Sequence, residues 1–293
     1  MKEVKTIAVI GLGLIGGSIL KGLKGKGYNL LGISRRKETI EQARKEKIID
    51  EGSINLDLAC EADLIFVCTP INKTVETIKN LSLKVKSETI ITDAASLKKD
   101  ILDFVNESQS PIRFIGGHPM AGTENKGLES SFETLFCGAK WVLTPSKWSN
   151  QEDLSNLSSV IEKLEAKIII ADPAQHDKAA ALISHFPLFL SQALFETVEN
   201  YSNKEVSRLA SLIAASGFRD MTRLASANSE LSKDMLIQNK SNVLEALKEL
   251  RKTLDVLEKE LIDNEENFEK TIEKTASKRK KMYSLEGKNI LKW

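Results

Sequence analysis

Three histidines, His118, His176 and His185, are the side chains of this 293-residue chain best suited to take a proton near neutral pH. His118 stands in Gly116-Gly117-His118-Pro119-Met120-Ala121-Gly122-Thr123-Glu124, just past an apolar run that reads as a strand. Ligands of open α/β sheets bind beyond the carboxyl ends of strands, and the flanking glycines leave room for one. His118 is therefore placed to meet a bound ligand or cofactor. His185, in Ile183-Ser184-His185-Phe186-Pro187, falls in an apolar helical pattern, where a satisfied core histidine is the plain alternative. His176 follows a helix start at Asp172-Pro173 and is expected to be exposed. Ser96, in Thr92-Asp93-Ala94-Ala95-Ser96, also follows a strand and is placed to meet the same crevice. Gly217-Phe218-Arg219-Asp220-Met221-Thr222-Arg223 sets Arg219 and Arg223 at i and i+4 on one helix face. Two readings of that pair stay open. One is surface ion pairing, the commoner case; the other, among Ala214, Phe218, Met221 and Leu224, is a partly buried pair aimed at a carboxylate.

A second constellation lies near the N-terminus. Gly11-Leu12-Gly13-Leu14-Ile15-Gly16 directly follows the apolar run Thr6–Ile10 and opens a helical pattern at Ser18–Leu23. Gly11, Gly13 and Gly16 at this spacing make a tight turn, admit a pyrophosphate close to the backbone and let helix pack on strand. The helix N-terminus then faces the phosphate charge. The alternative is an ordinary glycine turn, but strand before and helix after is the context a dinucleotide site requires. The next strand ends Gly32-Ile33-Ser34-Arg35-Arg36, where an enzyme using NAD carries Asp or Glu for the ribose hydroxyl. A hydroxyl and two guanidinium groups suit a 2′-phosphate instead, so Ser34, Arg35 and Arg36 favour NADP over NAD. The opposing reading is that the arginines are plain surface charges. Leu14, Ile15, Thr69 and Pro70 complete the expected cofactor contacts.

The elements that must hold these residues follow from punctuation. Fourteen of the sixteen glycines precede residue 139, and no proline follows Pro187. Apolar runs at Thr6–Ile10, Asn29–Ile33, Leu64–Cys68, Thr89–Thr92, Arg113–Ile115, Trp141–Leu143 and Lys167–Ile170 alternate with helical patterns. That alternation predicts an α/β fold: an N-terminal Rossmann-type, doubly wound, mostly parallel sheet over residues 1–172. Residues 173–293 read as an all-α domain. Within it Leu247, Leu250, Leu254, Leu257 and Leu261 form a strict 3-4 seam. Packing inside the chain and a helix pair shared by two subunits both account for it. Lys278–Lys281 reads as a solvated helix face.

Composition excludes several classes. Lys plus Arg (42) nearly cancels Asp plus Glu (41), so no overall field draws nucleic acid or anionic lipid. Three cysteines, Cys60, Cys68 and Cys137, form no C-x-x-C pair, which argues against zinc or a disulfide framework and fits a reducing cytoplasm. Lys2 and Lys5 ahead of an apolar run resemble a signal peptide, but glycines 11, 13, 16 and 17 break the run. No uninterrupted apolar stretch of about 18 residues occurs, so no bilayer span is expected.

The sequence resembles the prephenate/arogenate dehydrogenase family over essentially its whole length, most closely the cyanobacterial-type arogenate dehydrogenases. The resemblance is carried by the glycine loop, Asp93–Ser96, His118-Pro119-Met120-Ala121-Gly122-Thr123, Ser184-His185-Phe186-Pro187 and Ser216-Gly217-Phe218-Arg219-Asp220 with Arg223. Its specific part is the H-P-M-A-G stretch together with G-F-R-D and the following arginine. One departure is Asn228-Ser229-Glu230-Leu231, where relatives usually read Asn-Pro-Glu-Leu, which alters a helix start more than chemistry. The resemblance implies oxidative decarboxylation of L-arogenate to L-tyrosine with hydride transfer to NADP. The alternative product is 4-hydroxyphenylpyruvate from prephenate. By resemblance, His118 is the catalytic base and Ser96 its partner beside the nicotinamide. Arg223 would bind the ring carboxylate with Arg219 nearby, His185 would line the pocket near the substrate side chain, and Glu124 would join a gating ion pair. It further implies a cytoplasmic homodimer paired through the helical domain, with no metal. Two other readings compete. Hydroxyacid dehydrogenases of the 3-hydroxyisobutyrate type carry a G-x-x-x-K pattern, absent between Ala179 and Asn200. A non-catalytic nucleotide-sensing Rossmann protein would not need His118, Ser96 and Arg223 together.

Overall fold

A computed structural model describes residues 3–109, 111–123, 125–227 and 229–284. The chain runs β1 (Thr6–Ile10), α1 (Leu14–Leu23), β2 (Asn29–Ile33), α2 (Lys37–Lys45), β3 (Glu51–Ser53), β4 (Leu64–Val67), α3 (Ile71–Ser82), β5 (Ile90–Asp93), α4 (Lys99–Glu107), β6 (Phe114–Pro119), β7 (Lys140–Pro145), α5 (Gln151–Lys163) and β8 (Lys167–Ile170). It continues with α6 (Pro173–Ala180), a π-helical turn at Ala181–His185, α7 (Phe186–Glu199), α8 (Lys204–Ile213), α9 (Ser216–Thr222), α10 (Ser229–Gln238), α11 (Lys240–Asp263) and α12 (Glu265–Ser284).

The eight strands form one sheet in the order β3-β2-β1-β4-β5-β6-β7-β8. Every neighbouring pair is parallel except β6 with β7, which run antiparallel. Helices cover both faces, so central strands such as β4, Leu-Ile-Phe-Val, are buried throughout. One core, with Ile7, Val9, Leu20, Phe66 and Trp141, lies under α1 and α5; the other, with Ile65, Val67, Ile78 and Leu102, lies under α3 and α4. Each such side chain contributes about 1.5–3 kcal/mol on burial. The seven strands expected from apolar runs are present. The eighth, β3, has the sequence Glu-Gly-Ser and is an edge strand with no apolar pattern to announce it.

Chain contacts divide the molecule into two compact units, Met1–Asn242 and Val243–Trp293. The composition break at Asp172–Pro173 instead marks the start of α6, which Asp172 caps by accepting from the Ala174 and Gln175 amides at 3.0 Å. Within the second unit, Asn264 accepts from the Asn267 amide at 3.1 Å where α12 begins. Of the leucine seam, Leu254 and Leu261 are exposed and Leu257 is half-buried. Lys278–Lys281 lie exposed on α12.

Among the described residues, Pro173–Glu199 is the one helical run long and apolar enough to cross a membrane. It carries a buried polar network instead, with His176, Asp177 and His185 all facing inward. Pro187 has no N–H and its ring crowds the carbonyl four residues back, which the π turn just before it accommodates.

Candidate functional site

The glycine loop sits where β1 has β2 on one side and β4 on the other, the switch point of the sheet. Gly11 adopts φ +97°, its amide donates to Ile33 O at 2.8 Å, and a Cβ there would stand 2.4 Å from Cys68 O. At Gly16 a Cβ would meet Gly11 O at 2.1 Å. Gly13, by contrast, faces open space, with nothing within 4 Å, and caps α1 without a side-chain hydrogen bond. An uncapped helix N-terminus opening on a cleared volume fits a pyrophosphate, so the residues present suit a dinucleotide. Leu14 and Ile15 are half-buried in the first turn of α1. Ser34 follows β2 and accepts from the Arg36 amide at 3.3 Å; Arg35 and Arg36 are exposed. Thr69, half-buried, and Pro70, exposed, lie at the carboxyl end of β4, completing one continuous edge.

His118 lies in β6 one residue before its carboxyl end, on the same side of the sheet as Ser96, which follows β5. Its Nδ1 is 2.8 Å from Nε2 of His176, whose Nδ1 is 2.8 Å from Oδ1 of Asp177. His176 is only 5% exposed, so the expectation that it faces solvent is corrected. It starts the first buried turn of α6, and sequence pattern near a helix start cannot report which face meets the sheet. Burial, then the neighbouring His176, Lys98 and His185, hold His118 well below the ordinary imidazole range. The ring is thus neutral and able to accept a proton. Ser96 is half-buried and makes no hydrogen bond to His118.

Behind His118 lies a buried ion pair that the sequence did not single out. Lys98 and Asp93 are both fully buried and joined through Nζ and Oδ2. Asp93 Oδ1 accepts from the Gly117 amide at 3.0 Å, and Lys98 Nζ donates to Gly117 O at 2.8 Å. The Lys98 and Lys99 amides donate to Asp177 at 2.8 and 2.9 Å. Lys98 and Asp177 are 79 residues apart, which is why spacing did not reveal them; the His176-Asp177 dipeptide was the one available signal.

His185 is fully buried in the π turn. Its Nδ1 pairs with Asn239 Nδ2 at 3.0 Å while its Nε2 has no partner. Burial, opposed by Asp177 and reinforced by His176, brings its pKa down to about 4. The arginines stand apart. Arg219 is exposed and pairs with Asp220 at 3.2 Å; Arg223 is exposed where α9 gives way to a 3-10 turn. Of the two readings, the single chain therefore has them on its surface rather than partly buried. Their segment docks on α7: Phe218 stacks on Phe195 at 6.3 Å, and the Ala225 amide donates to Ser191 Oγ at 2.9 Å. Glu124 and Asn228 lie outside the described residues.

A family model described as prephenate dehydrogenase, nucleotide-binding domain, matches residues 19–170, and one described as prephenate dehydrogenase, dimerization domain, matches residues 172–274. A prephenate dehydrogenase of Lactococcus lactis is 37% identical over 257 residues, 86% of this chain and 70% of that protein. The chain belongs to the prephenate dehydrogenase family. Among solved structures, Synechocystis arogenate dehydrogenase is 37% identical with a TM-score of 0.86, covering 94% of this chain and 99% of that one. Prephenate dehydrogenase of A. aeolicus, in complex with hydroxyphenyl propionate and NAD+, is 28% identical with a TM-score of 0.86, covering 96% and 99%. Members of this family are oxidoreductases with a nucleotide-binding domain; His118 lies within the residues matched to it, and the glycine loop immediately precedes them on the same sheet.

Proposed function

We propose that this member of the family is an NADP-dependent arogenate dehydrogenase of tyrosine biosynthesis. The observation that carries the dehydrogenase reading is a neutral, largely enclosed His118 at the same sheet edge as an uncapped dinucleotide loop. The substrate is a cyclohexadienol with a hydroxyl on C4 and a carboxylate on C1. When bound, the oxidised dinucleotide supplies the hydride acceptor for C4. His118 takes the hydroxyl proton, which lets a carbonyl develop at C4. That carbonyl, conjugated with the ring, draws the electrons of the breaking C1–carboxylate bond, and aromatisation makes loss of carbon dioxide irreversible. Ser96 is the partner of His118, between the base and the nicotinamide, Arg223 holds the ring carboxylate with Arg219 beside it, and His185 borders the side chain. Glu124 contributes a gating ion pair.

NADP is favoured because the β2 terminus offers Ser34 and two exposed arginines and no carboxylate to repel a 2′-phosphate. Similarity to the Synechocystis arogenate dehydrogenase supports arogenate. The equally similar Lactococcus protein supports prephenate as a second reading. The nucleotide-binding part is assigned to residues 1–172 and the substrate and dimerisation part to 173–293. A homodimer accounts for α8, which leaves Val206, Leu209, Leu212 and Ile213 exposed by 48–75%.

The test is kcat/KM for arogenate and prephenate, each with NADP and with NAD, followed by absorbance of the reduced nicotinamide. Highest efficiency with arogenate and NADP is expected. A preference for prephenate moves the assignment to the second reading, and no reduction in any of the four combinations refutes a dehydrogenase and favours a nucleotide sensor.

A further inference from the structure

The base at the centre of the site is not free to choose its tautomer. Asp177 accepts from two backbone amides, Lys98 N at Oδ1 and Lys99 N at Oδ2, so both its oxygens serve as acceptors at the start of α4. His176 Nδ1, 2.8 Å from the same Oδ1, must then be the donor of that pair. In a neutral imidazole this leaves Nε2 as the acceptor. The atom that meets it at 2.8 Å is His118 Nδ1, which therefore carries the proton. His118 Nε2 is left with its lone pair exposed to whatever occupies the crevice.

We infer that His176 and Asp177 are a positioning pair that holds His118 as its Nδ1–H tautomer, with Nε2 as the basic atom. The pairing also fixes the ring plane: the two imidazoles meet edge to face, with centroids 5.0 Å apart and planes at 76°. The backbone before His118 is held by the same set of residues. Gly117 is gripped at its amide by Asp93 and at its carbonyl by Lys98, and Lys98 in turn is tied by its own amide to Asp177. Backbone and side chain of the base thus close a ring of hydrogen bonds through Lys98. A Cβ at Gly117 would stand 2.5 Å from Asp93 O, so only glycine permits the grip.

The charged and titratable groups facing His118 are His176 and Asp177 from α6, Lys98 and Asp93 from the β5–α4 connection, and His185 from the π turn. Three of the neighbours, His176, Lys98 and His185, oppose a charge on His118, whereas Asp177 reaches it through His176. As the imidazole takes a proton, that carboxylate stabilises the cation formed, the logic by which a buried aspartate orients and supports a histidine base in serine hydrolases.

The catalytic consequence rests on His118 being the base; the tautomer does not, and can be read without turnover. With three histidines in the chain, two-bond ¹⁵N–¹H correlation spectra of histidine-labelled protein resolve every ring, assigned with His118→Asn, His176→Gln and His185→Gln. The expected result is Nδ1–H for both His118 and His176 near neutral pH. His118 found as Nε2–H overturns the inference. In activity assays, His176→Ala is expected to lower kcat about 100-fold and shift the acid limb of the pH profile, with KM and dinucleotide Kd within about two-fold. His176→Gln, which returns an acceptor to Nδ1, is expected to recover part of the loss. Wild-type kcat and pH profile in His176→Ala overturn the positioning role. The stated tautomers in a chain without turnover refute the proposed reaction and leave the pair's hold on His118 standing.

Discussion

His118 works as a base because burial and its neighbours His176, Lys98 and His185 keep it uncharged, so the lone pair on Nε2 is available without first losing a proton. Replacing it with Asn keeps size and polarity and removes basicity. His118→Asn is expected to lower kcat by about 10²–10⁴-fold while leaving NADP affinity nearly intact, measured by initial rates and fluorescence titration. Near-normal turnover would remove His118 from the mechanism. Arg223 is a different kind of residue, exposed on the single chain and argued to meet a carboxylate in ground and transition states alike. Arg223→Ala should therefore act mainly on KM; an unchanged KM takes it out of the site. His118 was legible in the sequence because glycines and a strand end surround it. Its partner His176 was misjudged as exposed, because a single histidine in a first helical turn carries no period from which to read its face.

The glycine loop shows how one element divides its labour between folding and binding. At Gly11 the backbone has φ +97° and no space for a Cβ, whereas at Gly13 the space is open. Gly11→Ala is expected to destabilise the fold by about 2 kcal/mol or more, through positive φ and the clash with Cys68 O. Gly13→Ala should melt close to wild type yet bind NADP at least about tenfold more weakly, because its methyl enters the volume left for the pyrophosphate. Thermal unfolding beside dinucleotide titration separates the two, and equal effects of both variants on stability would contradict this division. The π turn is a second element with a purpose set by sequence: Pro187 is incompatible with the regular ladder, and the widened turn brings His185 wholly inside. Spacing alone placed His185 in a helix but could not distinguish an α turn from a π turn.

At the scale of the whole molecule, buried neutral histidines make stability depend on pH. His185 has a folded-state pKa of about 4 against an ordinary value of 6.5, so the unfolded chain binds the extra proton between these limits. Stability is therefore full above about pH 6.5 and is lost as pH falls toward the folded value. From about pH 6.5 to about pH 5, His185 alone should cost about 2 kcal/mol. Urea unfolding of wild type and His185→Gln across that range checks it: the variant should lose less on acidification, and parallel slopes would exclude His185 as the source. Assembly belongs to this scale too. With α8 presenting Val206, Leu209, Leu212 and Ile213 to solvent in the single chain, a dimeric mass is expected in light scattering, and a monomer would overturn the proposed homodimer.

The sequence by itself determined the local features. The period of its apolar runs specified seven of the eight strands, the glycine spacing marked the dinucleotide loop, and two motifs read together pointed to the family. These signals are short-range, so residue order alone carries them. Tertiary structure decided what depends on distant residues meeting. It paired Lys98 with Asp93 and tied it to Asp177 across 79 positions. It added β3, whose residues are ordered by pairing with β2 rather than by an apolar face of their own. Above all, it turned His176 inward against His118, so that a histidine expected in water became the group that decides which nitrogen of the base is free.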